Sequence, residues 1–122
     1  MYRATLSTSY FPAQTDDAVR ETTVGGVLEN AARAWPDAPA LVEAKPDGTM
    51  GRTWTFRQLH KDAERLAHAL ASRFSPGERI AIWSPNTPEW AIVEFAAAMA
   101  GLTLVTVNPA YQAKELRYVL EQ

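Results

Sequence analysis

The sequence predicts an α/β fold: part of a doubly wound sheet holding a parallel βαβ unit, preceded by a helix, a hairpin and an amphipathic helix. Three observations predict it. Ile80-Ala81-Ile82-Trp83 and Leu102-Thr103-Leu104-Val105-Thr106-Val107 are apolar runs without strand alternation, the pattern of strands buried on both faces of a parallel sheet. Between them, Glu89 to Ala100 has the length and apolar content of a crossover helix. Upstream, Lys45-Pro46-Asp47-Gly48 separates Ala40-Leu41-Val42-Glu43 from Arg52-Thr53-Trp54-Thr55, so a hairpin is expected over about 40–55.

Each element has a local cause. Residues 1–21 are polar, contain Pro12 and show no helical or strand period, which reads as a lead-in ahead of a unit spanning 22–122. Thr22-Thr23 offers a hydroxyl cap, and Val24, Val27, Leu28, Ala31 and Ala32 follow at helical spacing as the expected apolar face. Pro36 ends that helix. Thr55 can cap a helix over 56–74, whose apolar stripe is Leu59, Ala63, Leu66, Ala67, Leu70 and Phe74, with Lys61, Asp62, Glu64 and Arg65 opposite. Ser75-Pro76-Gly77-Glu78 breaks it before the strand at 80–83. Thr87 caps the crossover helix, Pro88 suits its first position, and Gly101 suits the left-handed residue beyond its end. The second strand covers 102–107, Asn108-Pro109 turns the chain, and another helix starts near Gln112.

Composition narrows the function classes. The 122 residues carry 12 basic and 14 acidic side chains, net −2, so no basic excess points to nucleic acid or an anionic membrane. With 47% hydrophobic and 21% charged residues the chain has the make-up of a globular domain. Cysteine is absent, which excludes thiol nucleophiles and cysteine metal sites. No apolar run reaches the roughly 18 residues of a membrane span. The first 20 residues lack a basic start with an apolar stretch, so the expected location is cytoplasmic. From Trp90 to Ala100 the crossover helix is apolar nearly all round, with Glu94 the one charge in that stretch, and needs cover on more than one side. A hairpin and one βαβ unit cannot supply that cover, and the helical pattern at Leu120-Glu121-Gln122 has no capping glycine. The expectation is an incomplete domain.

Few residues advertise chemistry. His60, Glu64 and His68 recur at i, i+4 and i+8, but ligands spread over two turns converge poorly on one ion, so a solvated helix face is the expected role. Gly25-Gly26 precedes no Lys-Ser or Lys-Thr and follows no strand, so it reads as a helix start rather than a phosphate loop. Asp16-Asp17 reads as a solvated pair, and no Gly-x-Ser-x-Gly elbow exists. Trp35, Trp54, Trp83 and Trp90 read as core anchors. The carboxyl ends of parallel strands are where open α/β sheets bind ligands. Of the two such loops, Ser84 to Glu89 loses donors to Pro85 and Pro88 and carries a negative charge in its first helical turn, so it reads as structural. Asn108, Tyr111 and Gln112 at the other are the candidate ligand contacts.

Several stretches carry a resemblance. Trp35-Pro36-Asp37-Ala38-Pro39-Ala40-Leu41 is similar to Phe-Pro-Asp-x-x-Ala-Leu, and Trp54-Thr55-Phe56-Arg57-Gln58-Leu59 to Tyr-Thr-Tyr-x-x-Leu. Pro76-Gly77-Glu78-Arg79-Ile80-Ala81-Ile82-Trp83-Ser84-Pro85-Asn86 is similar to Gly-Asp-Arg-Val-Ala-x-x-x-x-Asn. Pro88-Glu89-Trp90, Ala98-Met99-Ala100-Gly101, Val107-Asn108-Pro109-Ala110-Tyr111, and Glu115-Leu116 with Leu120 continue the match. In this order and spacing, from Thr22 to Gln122, they resemble the AMP-forming acyl-CoA synthetases, the adenylate-forming AMP-dependent synthetase/ligase family. Trp-Ser-Pro-Asn and Asn-Pro-Ala-Tyr look most like the fatty-acyl-CoA ligase branch. Glu78 stands where Asp is common, and Ala110 where some relatives carry a basic residue.

The resemblance implies the N-terminal segment of an ATP-dependent ligase that activates a carboxylic acid, most naturally a fatty acid, as an acyl-adenylate and passes the acyl group to coenzyme A. ATP, Mg2+ and coenzyme A would serve the parent enzyme; none is expected to bind this chain tightly. The family's phosphate loop, magnesium-associated Glu and catalytic Lys lie beyond this stretch, so the 122 residues alone are expected to be inactive, with no catalytic or metal-ligating residue among them. Asn108, Tyr111 and Gln112 would then belong to the wall of the acyl or CoA channel. The expected partners are the rest of the parent chain, the acid and CoA, with self-association through exposed apolar faces. The alternatives are a naturally short, non-catalytic dimerisation or binding module of the same fold, and an aryl-CoA ligase or amino-acid-adenylating relative.

Overall fold

The computed structural model describes residues 20–122; residues 1–19, including Pro12 and Asp16-Asp17, lie outside the described residues. The elements are α1 (Val24–Ala34), β1 (Pro39–Ala44), β2 (Met50–Thr55), α2 (Phe56–Ala71), β3 (Arg79–Trp83), α3 (Pro88–Met99), β4 (Thr103–Val107) and α4 (Ala113–Leu120). The expected α/β architecture is present: β1 and β2 pair antiparallel, and β3 and β4 pair parallel with α3 between them in the chain.

Local chemistry sets most boundaries. The Thr23 hydroxyl accepts from the Gly26 amide at 3.0 Å and caps α1. Within the hairpin turn the Gly48 amide donates to Lys45 O at 2.9 Å, and Asp47 Oδ1 accepts from the Thr49 amide at 3.0 Å. Thr55 and Gln58 form a reciprocal capping box at the start of α2. Gly101, at φ +71°, ends α3 in a Schellman motif: the Leu102 amide donates to Ala97 O and the Gly101 amide to Ala98 O.

Two ends differ from expectation. α2 stops at Ala71, short of Phe74. Ser72 caps it, with its hydroxyl donating to Ala69 O at 2.8 Å, and Pro76 disfavours helical backbone at Ser75. Thr87 stands at the N-cap of α3, but its side chain makes no capping bond.

The core lies where α1, α2 and α3 meet the hairpin. Leu28, Leu59 and Ala63 are buried, with Leu41, Trp54, Phe56, Ile92, Phe95 and Met99 packed around them. Buried Ala63, Ala67, Ala96 and Ala97 leave room for α2 and α3 to pack closely. The buried face of α1 matches the expected one in part: Leu28 is buried and Ala31 and Ala32 are half-buried, as expected. Val24 and Val27 are 52% and 53% exposed, while Gly25 and Leu28 are buried. Gly25 is the cause: a Cβ there would stand 2.8 Å from Met99 Cγ, so its missing side chain lets α1 rest on α3.

The parallel pair is less covered than its sequence suggests. Among the described residues of β3 and β4, only Val107 is buried, and Trp83 is 51% exposed. α3 is the helix packed on β4, and the all-apolar helix itself is largely half-buried.

Candidate functional site

β3 and β4 run in step, from Arg79↔Thr103 to Trp83↔Val107, so the loops at 84–87 and 108–112 leave the same edge side by side. The Trp83 indole Nε1 donates to Asn108 O at 3.2 Å and joins them. Asn108 is exposed, and its Oδ1 accepts from the Ala110 amide at 3.0 Å, an Asx turn that occupies part of the carboxamide within its own loop. The Tyr111 amide donates to Asn108 O at 3.0 Å, which brings the tyrosine beside this edge. Tyr111 is half-buried and lines a cavity of about 350 Å³ with Lys114, Glu115, Tyr118 and Val119. Gln112 sits at the N-cap of α4, and its amide donates to Glu115 Oε2 at 3.1 Å. Asn108 and Tyr111 therefore lie in one hydrogen-bonded turn after β4, and Gln112 starts the helix that follows.

The neighbouring loop is a stiff support. The Ser84 hydroxyl donates to Pro85 O at 3.0 Å, and Pro88 is buried at the first turn of α3. What fixes the start of α3 lies on another element. The Arg52 guanidinium on β2 pairs with Glu43 of β1 (Nε to Oε2, 3.0 Å) and also reaches Glu89 at the start of α3 (Nη2 to Oε2, 3.2 Å). It lies 5.1 Å from the Trp54 ring centroid. Hydrogen bonding from Arg52 holds the Glu89 carboxyl at about 2 and lowers that of Glu43; the two carboxylates raise Arg52 above its usual value. Sequence reasoning missed this bridge. Its one local signal was the placement of Glu43 and Arg52 on facing hairpin strands; Glu89 is 37 residues away from Arg52 in the chain.

His60, Glu64 and His68 line one groove between α1, α2 and α3, together with Thr23, Glu29 and Met99. Among the described residues no three acidic or histidine side chains are placed to hold a metal ion. No helix of the described residues is long and apolar enough to cross a membrane.

Residues 28–122 match the family described as "AMP-binding enzyme". The chain belongs to that family. It is 38% identical over 115 residues to the mitochondrial medium-chain acyl-CoA ligase of Mus musculus, covering 93% of this chain and 18% of that protein. It thus spans about a fifth of the length of the curated relatives it matches. Among solved structures it is similar to the N-terminal subdomain of Klebsiella oxytoca NpsA, solved in complex with anthranilyl-AMSN (TM-score 0.72, 25% identity, 81% of this chain and 25% of that one). It is also similar to a Mycobacterium tuberculosis fatty acyl CoA synthetase (TM-score 0.71, 26% identity, 80% of this chain and 19% of that one). The family membership and fold expected from the sequence are therefore borne out. The fold of the described elements matches part of that N-terminal subdomain.

Proposed function

We propose that this chain is the N-terminal segment of an ATP-dependent carboxylate–CoA ligase that works through an acyl-adenylate, with a fatty acid as the carboxylic acid. The observation that carries this is the 38% identity with a medium-chain acyl-CoA ligase across 93% of the chain. In this reading residues 1–21 are a lead-in and 22–122 form part of the N-terminal subdomain. ATP, Mg2+ and coenzyme A serve the parent protein; the phosphate loop, the magnesium-associated Glu and the catalytic Lys lie outside these 122 residues, so the chain alone does not turn over. Asn108 and Tyr111, with Gln112 behind them, contribute hydrogen-bonding groups to the wall of the acyl or CoA channel. The protein's location is cytoplasmic, which subcellular fractionation tests against the mitochondrial relative.

A second reading has its own support. Trp35, Trp83, Tyr118 and Leu120 are exposed large apolar side chains, which a second copy of a short, non-catalytic module would cover. The reading frame after Gln122 separates the two. A continuing frame with a Ser/Thr/Gly-rich loop and Pro-Lys-Gly, whose product forms acyl-CoA and AMP from ATP, CoA and octanoate, is the expected result. A stop codon directly after Gln122, with a tight dimer in sedimentation, would support the module instead. Product formation with an aryl or amino acid in place of the fatty acid would move the substrate class but keep the adenylation.

A further inference from the structure

Arg52 is the one described side chain that ties the hairpin to the start of α3. Three features make it more than an ordinary exposed ion pair. It bonds two carboxylates on two different elements, Glu43 on β1 and Glu89 on α3. Its backbone amide also donates to Glu43 Oε2 at 3.1 Å, so the acceptor is held from two directions. Its guanidinium rests by the Trp54 ring, whose Nε1 donates to Asp62 Oδ2 on α2 at 3.1 Å. Isolated surface pairs contribute little, but a forked guanidinium within a network of several partners restrains geometry.

The restraint falls where the helix start has no side-chain cap of its own. Thr87 makes no side-chain capping bond at the start of α3. From there the chain leads back through the 84–87 loop to Trp83, whose indole holds Asn108 O at the candidate edge. Leu41 to Ala44 of β1 and Asn86 to Pro88 line one cleft of about 420 Å³, and Glu43 of the bridge is among its lining residues.

We propose that Arg52 is a positioning residue: by holding Glu43 and Glu89 together it sets the 84–87 loop against the hairpin, and through Trp83 it sets the wall on which Asn108 and Tyr111 lie. The role in catalysis rests on the ligase function proposed above; the latch itself does not. Two measurements keep them apart. In the 122-residue chain, Arg52→Gln should speed amide exchange at Trp90, whose N–H bonds Thr87 O, several-fold. Arg52→Lys should restore only part of the protection, because a compact ammonium lacks the planar five-donor fork that the guanidinium spreads between the two carboxylates. Arg57→Gln, which breaks the separate pair with Asp37, should leave Trp90 unchanged. Unchanged exchange at Trp90 in Arg52→Gln overturns the latch. In the full-length protein, Arg52→Gln should raise KM for the acid or CoA several-fold with a smaller change in kcat. Faster exchange with unaltered kinetic constants overturns the positioning role. A wild-type protein that adenylates no acid overturns the ligase function, and Trp90 exchange then decides the latch alone.

Discussion

The Trp83 indole donates to the main-chain oxygen of Asn108 at 3.2 Å, joining the last residue of β3 to the first residue past β4. Register alone would place these ends side by side, since Trp83 pairs with Val107. The side-chain bond adds a tie between the two loops that leave the edge. Trp83→Phe keeps an aromatic ring, smaller than the indole, and removes the donor. Because Trp83 is half exposed, the loss in unfolding free energy should be at most about 1 kcal/mol. Denaturant titration checks the magnitude; a loss above about 3 kcal/mol would mean that the ring, and not the bond, carries the residue's contribution.

Leu28 and Val27 are sequence neighbours with opposite fates. Leu28 is 2% exposed against Leu59 and Ala63, and Leu28→Ala should cost about 2–5 kcal/mol. Val27→Ala should stay within about 0.5 kcal/mol. Equal costs in thermal or urea unfolding would contradict the described face of α1.

Gly25→Ala sets two effects against each other. Alanine is the better helix former by about 1 kcal/mol. The added Cβ, however, would stand 2.8 Å from Met99 Cγ, and overpacking of this kind costs about 1–3 kcal/mol. A net loss of about 1 kcal/mol is expected from the difference of those ranges. In a Met99→Ala background the obstacle is gone, and Gly25→Ala should become neutral or stabilising. A double-mutant cycle without coupling would remove Met99 as the cause.

The acid limb of stability should report the Arg52 bridge. Glu89 titrates at about 2 in the folded chain, below its ordinary 4.5, and Glu43 is lowered as well. A carboxyl depressed by folding stabilises fully above its unfolded pKa and loses that contribution as pH falls through the folded one, so the window for Glu89 runs from 4.5 down to about 2. Both groups are exposed, so the effect should shrink in high salt. Glu89→Gln should flatten the decline in melting temperature across that window. An acid limb identical to wild type would show that Glu89 is not held by Arg52 in solution.

Much of this fold was legible because its signals are local. Thr55 marked a helix cap, Asp47-Gly48 a turn, and Gly101 a left-handed helix end, and each occurs for the physical reason its residue type suggests; that Gln58 completes a capping box with Thr55 came only from the structure. Apolar spacing found Leu28 on the buried face of α1 but wrongly added Val24 and Val27, because hydropathy credits the valines and gives no weight to the room left by Gly25 beside Met99. Asn108, Tyr111 and Gln112 were singled out from their place after a parallel strand, and the structure puts them directly after β4. The bridge from Arg52 to Glu89 was not, since a contact between residues 37 apart leaves no period in the chain. The continuous apolar runs of β3 and β4 are characteristic of strands covered on both faces, and among the described residues that cover is incomplete.

The central claim, that these residues open an acyl-adenylate-forming ligase, is tested most directly by acid-dependent exchange of labelled pyrophosphate into ATP. The full-length protein with Mg2+ and octanoate should exchange without CoA, and the 122-residue chain should not. Exchange by the 122-residue chain itself, or none by the full-length protein with any carboxylic acid, would contradict the account.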